Sequence, residues 1–131
     1  MHQDGWLRPR LVPAVLAAAL MGILALGGWT AALGAHPMWT DTTVMFGAAA
    51  GFAVWLVLSA LRVPGWAVLV MGLLAGLAAL WVARHGGETF AASYAEDRMA
   101  GRLWYFGWIA TSAMLYVVLA ETLTRLGRSR G

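Results

Sequence analysis

The chain has 131 residues, 61% of them apolar and 11% charged, with no cysteine and a net charge of +3, whereas an ordinary soluble domain carries about 25% charged residues. This composition excludes a water-soluble globule, whose helices would each need a polar outer face, and an extracellular disulfide scaffold. It also excludes a simple nucleic-acid binder, because the small basic excess lies beside apolar runs rather than in a basic domain.

Four runs, 11–33, 43–61, 63–83 and 103–120, are free of charge, and each is close to the ~20 residues a helix needs to cross a hydrocarbon core. All nine basic and six acidic side chains lie outside them. The runs lack strand alternation, and in lipid every backbone polar group must be satisfied within its own segment, so four transmembrane helices are expected. The expected fold class is all-α: an integral membrane four-helix bundle in up-down-up-down order, one transmembrane domain over residues 1–131.

The first run follows Arg8 and Arg10 and carries Pro13 in its first turn, where a missing N–H costs little. The same arginines, with Ala32-Leu33-Gly34 at the far end, suit a secretory signal peptide, but the run exceeds the about 7–15 residues of a signal core. It is therefore taken as a retained span with Ala14, Ala18 and Gly22 on one face. The following short loop holds His36, Pro37, Trp39 and Asp41.

The second and third runs carry Gly47-x-x-x-Gly51 and Gly72-x-x-x-Gly76. Small residues four apart let helix backbones approach closely where lipid gives no hydrophobic drive. Gly47, Gly51, Gly72 and Gly76, with Ala18 and Gly22, are accordingly the expected helix-packing positions. Between these runs, Arg62-Val63-Pro64-Gly65 predicts a tight hairpin in which Gly65 takes the positive φ of a type II turn.

The outer loop, 84–102, is too long to be structureless. Gly86-Gly87 is expected to break the third helix, and Glu88, Phe90 and Tyr94 to lie in a short interfacial helix with its aromatic side on the membrane surface, the alternative being that this element runs straight into the fourth span as an extension. His36, His85, Asp41 and Glu88 would lie near one another at this end and form the one candidate metal or ligand cluster. The bland alternative, imidazoles in the wet headgroup layer, is preferred, and no metal or other cofactor is expected.

In the fourth run Trp104 and Trp108 share a face with Thr111, and Tyr116 lies on the adjacent one with Ser112. Trp104, Trp108 and Tyr116 could offer a surface to a flat apolar ligand, or simply anchor and pack the helix. Arg98 and Arg102 in the loop, and Arg125, Arg128 and Arg130 in the basic tail 121–131, are the expected contacts to lipid headgroups.

Orientation follows the arginines. Arg8, Arg10, Arg62, Arg125, Arg128 and Arg130 fall on one side, and Arg84, Arg98 and Arg102 on the other, where Glu88, Glu96 and Asp97 accompany them. Both termini are thus expected in the cytoplasm. Arginine without any lysine or asparagine suggests a GC-rich bacterial gene and hence a bacterial inner membrane.

No charge lies at membrane depth, which argues against ion-coupled transport. There is no HExxH, phosphate loop or nucleophile elbow to support catalysis. The expected function is a non-catalytic accessory, stabilising or assembly subunit of a larger membrane complex, with lipids and other integral membrane subunits as partners and no nucleic acid. The rival expectations are a homo-oligomeric pore, holin-like protein or small transporter, and a haem-, quinone- or pigment-binding redox subunit.

Overall fold

The computed structural model describes residues 8–28 and 40–130, which form four helices: α1 (Arg8–Leu26), α2 (Thr40–Ala60), α3 (Gly65–Ala92) and α4 (Arg98–Arg130). Three of them, over Asp41–Ala60, Gly65–Ala92 and Arg98–Gly127, are long and apolar enough to cross a membrane. α1 is the exception. Its apolar stretch, Arg10–Leu26, reaches about 25 Å at ~1.5 Å per residue, short of a ~30 Å core. The helix closes because Gly28 turns left-handed (φ 78°), with the Gly27 and Gly28 N–H groups donating back to the Ile23 and Ala25 carbonyls. Residues 29–33 of the expected span, and His36, lie outside the described residues. Pro13 also sits further into its helix than expected, inside α1 rather than in its first turn, because the helix begins at Arg8.

The α2–α3 turn differs in detail from the type II turn expected. Val63 N–H donates to the Leu58 carbonyl and Arg62 N–H to that of Ser59, the paired bonds of a Schellman ending. Arg62, at φ 60°, is the left-handed residue, and Gly65 is already the first residue of α3.

The outer end departs further. α3 runs unbroken through Gly86-Gly87 to Ala92, only residues 93–97 connect it to α4, and among the described residues no separate interfacial helix exists. Gly86 and Gly87 serve close approach rather than termination. A methyl group at Gly86 would lie 2.8 Å from the Ala100 carbonyl oxygen, and one at Gly87 would lie 2.9 Å from the Trp104 indole nitrogen. α4 then begins on Asp97, whose Oδ1 accepts the Ala100 N–H at 3.0 Å, an N-terminal cap. Ser93 Oγ accepts the Asp97 N–H at 2.9 Å and orders the connection. At its other end α4 continues helical through Glu121 to Arg130, past the expected boundary at Ala120.

α4 is the hub, packed on α3, α2 and α1. Its contacts with α3 run in opposite sequence order, from Gly65 beside Glu121 and Arg125, through Gly72 at Val118, to Gly107 against Ala83. Those with α2 run in the same order, from Gly47 at Ser112, through Gly51 at Ala113, to Trp55 at Glu121. Around Trp55, Val68, Tyr116 and Val117 the core takes in Ala14, Ala17 and Met21 of α1, and a smaller cluster joins Ala83 to Trp108. Elsewhere the helices present large apolar side chains outward, Leu73, Leu74 and Leu77 among them. Trp66 and Trp81, 65% and 67% exposed, stand fifteen residues apart on α3, about 22 Å along its axis, as a pair of interfacial tryptophans would.

Candidate functional site

Three of the buried polar side chains, Ser59, Glu121 and Thr124, lie toward the end bearing the α2–α3 turn. On α4 the positions 112, 113, 116, 117, 120, 121 and 124 are all buried, a stripe repeating every three to four residues, and Glu121 falls on it at 4% exposure. Trp55 of α2 donates its indole N–H to Glu121 Oε1 at 3.3 Å. The other carboxylate oxygen and the Arg125 guanidinium both lie against Gly65, so close that a methyl group there would meet them at 2.8 and 3.0 Å. One turn above, the Tyr116 hydroxyl donates to the Ala14 carbonyl at 3.0 Å and ties α1 to α4. The Thr124 and Thr111 hydroxyls return to carbonyls of their own helix, Ala120 and Gly107.

Beside this cluster a crevice of about 530 Å³ opens between α1 and the turn, lined by Arg10, Ser59, Arg62 and Gly65 together with neighbouring apolar groups. Its electrostatic character is cationic: Arg10 and Arg62 line it, and Arg125 stands just beyond Gly65 next to Glu121.

Of the packing residues expected from sequence, Gly47 and Gly51 lie against Ser112, Ala113 and Tyr116 of α4. Gly72 and Gly76 lie against Val118 and Met114 of the same helix. Ala18 is exposed and Gly22 has open space around it; the packed positions of α1 are Ala14, Ala17 and Met21. The register there follows spacings of three and four residues, as an α-helix meeting a curved bundle surface requires, rather than a strict four.

His85 is exposed and stacks flat on Trp81, with ring centroids 5.1 Å apart. His85 and Glu88 share a shallow crevice with Arg84 that Asp41 does not line. His36 lies outside the described residues. Among those described, no group of three or more His, Asp or Glu side chains could hold a metal ion.

The aromatic trio is divided by packing. Trp108 is buried against Ala83, Trp104 tilts onto Phe90 at 5.8 Å, and Tyr116 meets Phe52 edge-on at 6.2 Å. A groove of about 300 Å³, almost wholly apolar, runs beside Trp108 between Gly72, Gly76 and Leu80 of α3 and Leu115 of α4. Arg98, Arg102 and Arg125 are exposed; the side chains of Arg128 and Arg130 lie outside the described residues.

Sequence reasoning missed Trp55 and Glu121, which it left in a span and in the tail. The signal for Glu121 was the spacing of Ser112, Tyr116, Ala120 and Thr124 at every fourth position, which carries a buried stripe across the supposed boundary. Comparison with protein-family models, curated proteins and solved structures finds no match.

Proposed function

We propose that this chain is a non-catalytic integral membrane protein that acts as an accessory, stabilising or assembly subunit of a larger membrane complex. The observation that carries this reading is how several polar groups inside the bundle are used, the buried Trp108 indole N–H being left without a hydrogen-bond partner. Trp55 with Glu121 and Tyr116 with Ala14 bind helix to helix, while Thr111 and Thr124 bond to their own backbone. This is the chemistry of a scaffold, in which buried polar groups specify one packing of helices.

In this reading α2, α3 and α4 cross in alternating directions, in keeping with the opposite and parallel contact orders of α3 and α2 against α4, and the first apolar run, which continues in the sequence to Leu33, crosses before them to complete an up-down-up-down order. Both termini lie on the cytoplasmic side of a bacterial inner membrane. Arg10, Arg62 and Arg125 support that orientation, because they gather at one end with Glu121 as their acidic neighbour, whereas Arg84, Arg98 and Arg102 at the other end are offset by Glu88, Glu96 and Asp97. Purification from its native membrane in mild detergents should bring down a larger partner at fixed stoichiometry. Recovery as a clean monomer or homo-oligomer in several detergents would overturn the assignment.

A second reading, a membrane subunit holding a quinone or pigment, is favoured by the apolar groove beside Trp108. Solvent extraction of the purified protein followed by absorption spectroscopy separates the two, since only the second predicts a stoichiometric chromophore.

A further inference from the structure

We propose that the crevice between α1 and the α2–α3 turn binds the phosphate of an anionic phospholipid headgroup. The proposal rests on the membrane reading above but not on the accessory role, and three features support it.

The first is convergence. Arg10 comes from α1, Ser59 from the last turn of α2, and Arg62 and Gly65 from the turn and the start of α3, yet all line one crevice. None of its lining residues is acidic. Glu121, which stands beside Gly65, has one carboxylate oxygen accepting from Trp55 and the other turned toward Gly65 beside Arg125. Guanidinium groups and a hydroxyl form the donor set that phosphate oxygens accept, with arginine able to bond two oxygens at once.

The second feature is the backbone of Arg62. It occupies the left-handed position of the Schellman ending at φ 60°, where glycine is the unstrained choice. A long cationic side chain is therefore held at the mouth of the crevice at some conformational cost. Glycine would close the helix as well or better, so the turn itself does not need arginine there.

The third is depth. The crevice lies at the end of the α2–α3 hairpin, level with the exposed Trp66, and in the membrane reading an exposed tryptophan at a helix end sits at the boundary of the hydrocarbon layer. Lipid phosphates lie just outside that boundary, and the membrane presents them at high local concentration. The crevice is also larger than a bare phosphate ion requires, leaving space for the glycerol side of a headgroup.

The test uses the full chain in mild detergent, with lipid binding followed by native mass spectrometry and folding by thermal unfolding. Phosphatidylglycerol should bind more tightly than phosphatidylcholine. Arg62→Gly and Arg10→Gln should each weaken phosphatidylglycerol binding about fivefold, the factor corresponding to the contribution of one arginine near an anionic surface. Arg84→Gln, at the opposite end, should leave it unchanged. Arg62→Gly should unfold at or above the wild-type temperature, so a lost lipid cannot be blamed on a lost fold. Equal binding of the two lipids, or undiminished phosphatidylglycerol binding by Arg62→Gly, overturns the proposal. Displacement of the lipid by inorganic phosphate alone would make the crevice a free-anion site and overturn the lipid assignment. A chain that stays in solution without detergent would end the membrane reading itself, a result separate from each of these.

Discussion

The indole N–H of Trp55 meets the carboxylate of Glu121 across 66 positions of sequence, so that a residue in the middle of an apolar run and one just past the end of another fasten α2 to α4. Both side chains are buried. Their burial makes the bond costly to break from one side only, because the partner left behind has lost its access to water.

Trp55→Phe keeps the aromatic bulk and removes the donor. It should destabilise the bundle by about 1–3 kcal/mol, the range for a buried polar group deprived of its partner. Glu121→Met in the Trp55→Phe background should recover part of that loss, since no carboxylate then lacks its donor. Unfolding by SDS in mixed micelles, run as a double-mutant cycle, measures the coupling; additive losses would show that the bond contributes nothing of its own.

The glycines of α2 and α1 should behave oppositely. At Gly51 a new methyl would press on the Ala113 carbonyl oxygen and lie 2.8 Å from Tyr116 Cβ, groups that cannot move without shifting α4, so Gly51→Ala should cost about 1–3 kcal/mol as overpacking. At Gly22 the space is open, and Gly22→Ala should stabilise α1 by about 0.5–1 kcal/mol through backbone entropy alone. The same SDS titration reads both. A loss at Gly22 comparable with that at Gly51 would mean that this face of α1 is covered.

These contrasts show what the sequence carries and what it does not. Hydrophobicity over 43–61, 63–83 and 103–120 locates α2, α3 and α4 because burial in oil is a property of the run as a whole. Helix ends depend instead on what packs beside them. Gly86-Gly87 reads as a break when the chain is considered alone, yet the pair admits the α4 backbone and Trp104 and so lengthens the helix. Gly65 reads as the turn's left-handed residue, but Arg62 takes that role because the α2 ending places it one residue past the cap. Glu121 reads as tail because it is charged, and only the stripe it shares with Tyr116, Val117 and Thr124 shows it to be interior.

Tyr116→Phe removes the hydroxyl that reaches the Ala14 carbonyl while leaving the ring against Phe52. The expected loss is about 0.5–1.5 kcal/mol, the net value of one such bond, and it should be local to α1, which packs less extensively on α4 than the other helices do. Amide hydrogen exchange should therefore quicken in residues 10–26 and stay unchanged in α3. Uniform quickening throughout the bundle would place Tyr116 in a global rather than a local role.

The connection at residues 93–97 gives a last test. Ser93 Oγ donates to the Phe90 carbonyl and accepts the Asp97 N–H, and Asp97 Oδ1 in turn accepts the Ala100 N–H, so one short chain of bonds ends α3 and begins α4. Asp97→Ala leaves the first turn of α4 without its cap and should cost about 1 kcal/mol. Asp97→Asn, which keeps an acceptor oxygen at the same place, should cost little, because asparagine caps about as well as aspartate. Protease cleavage within 93–97 follows the opening of this connection and should rise in the alanine variant only; equal cleavage of the two would show that the carboxylate's charge, rather than its oxygen, holds the turn.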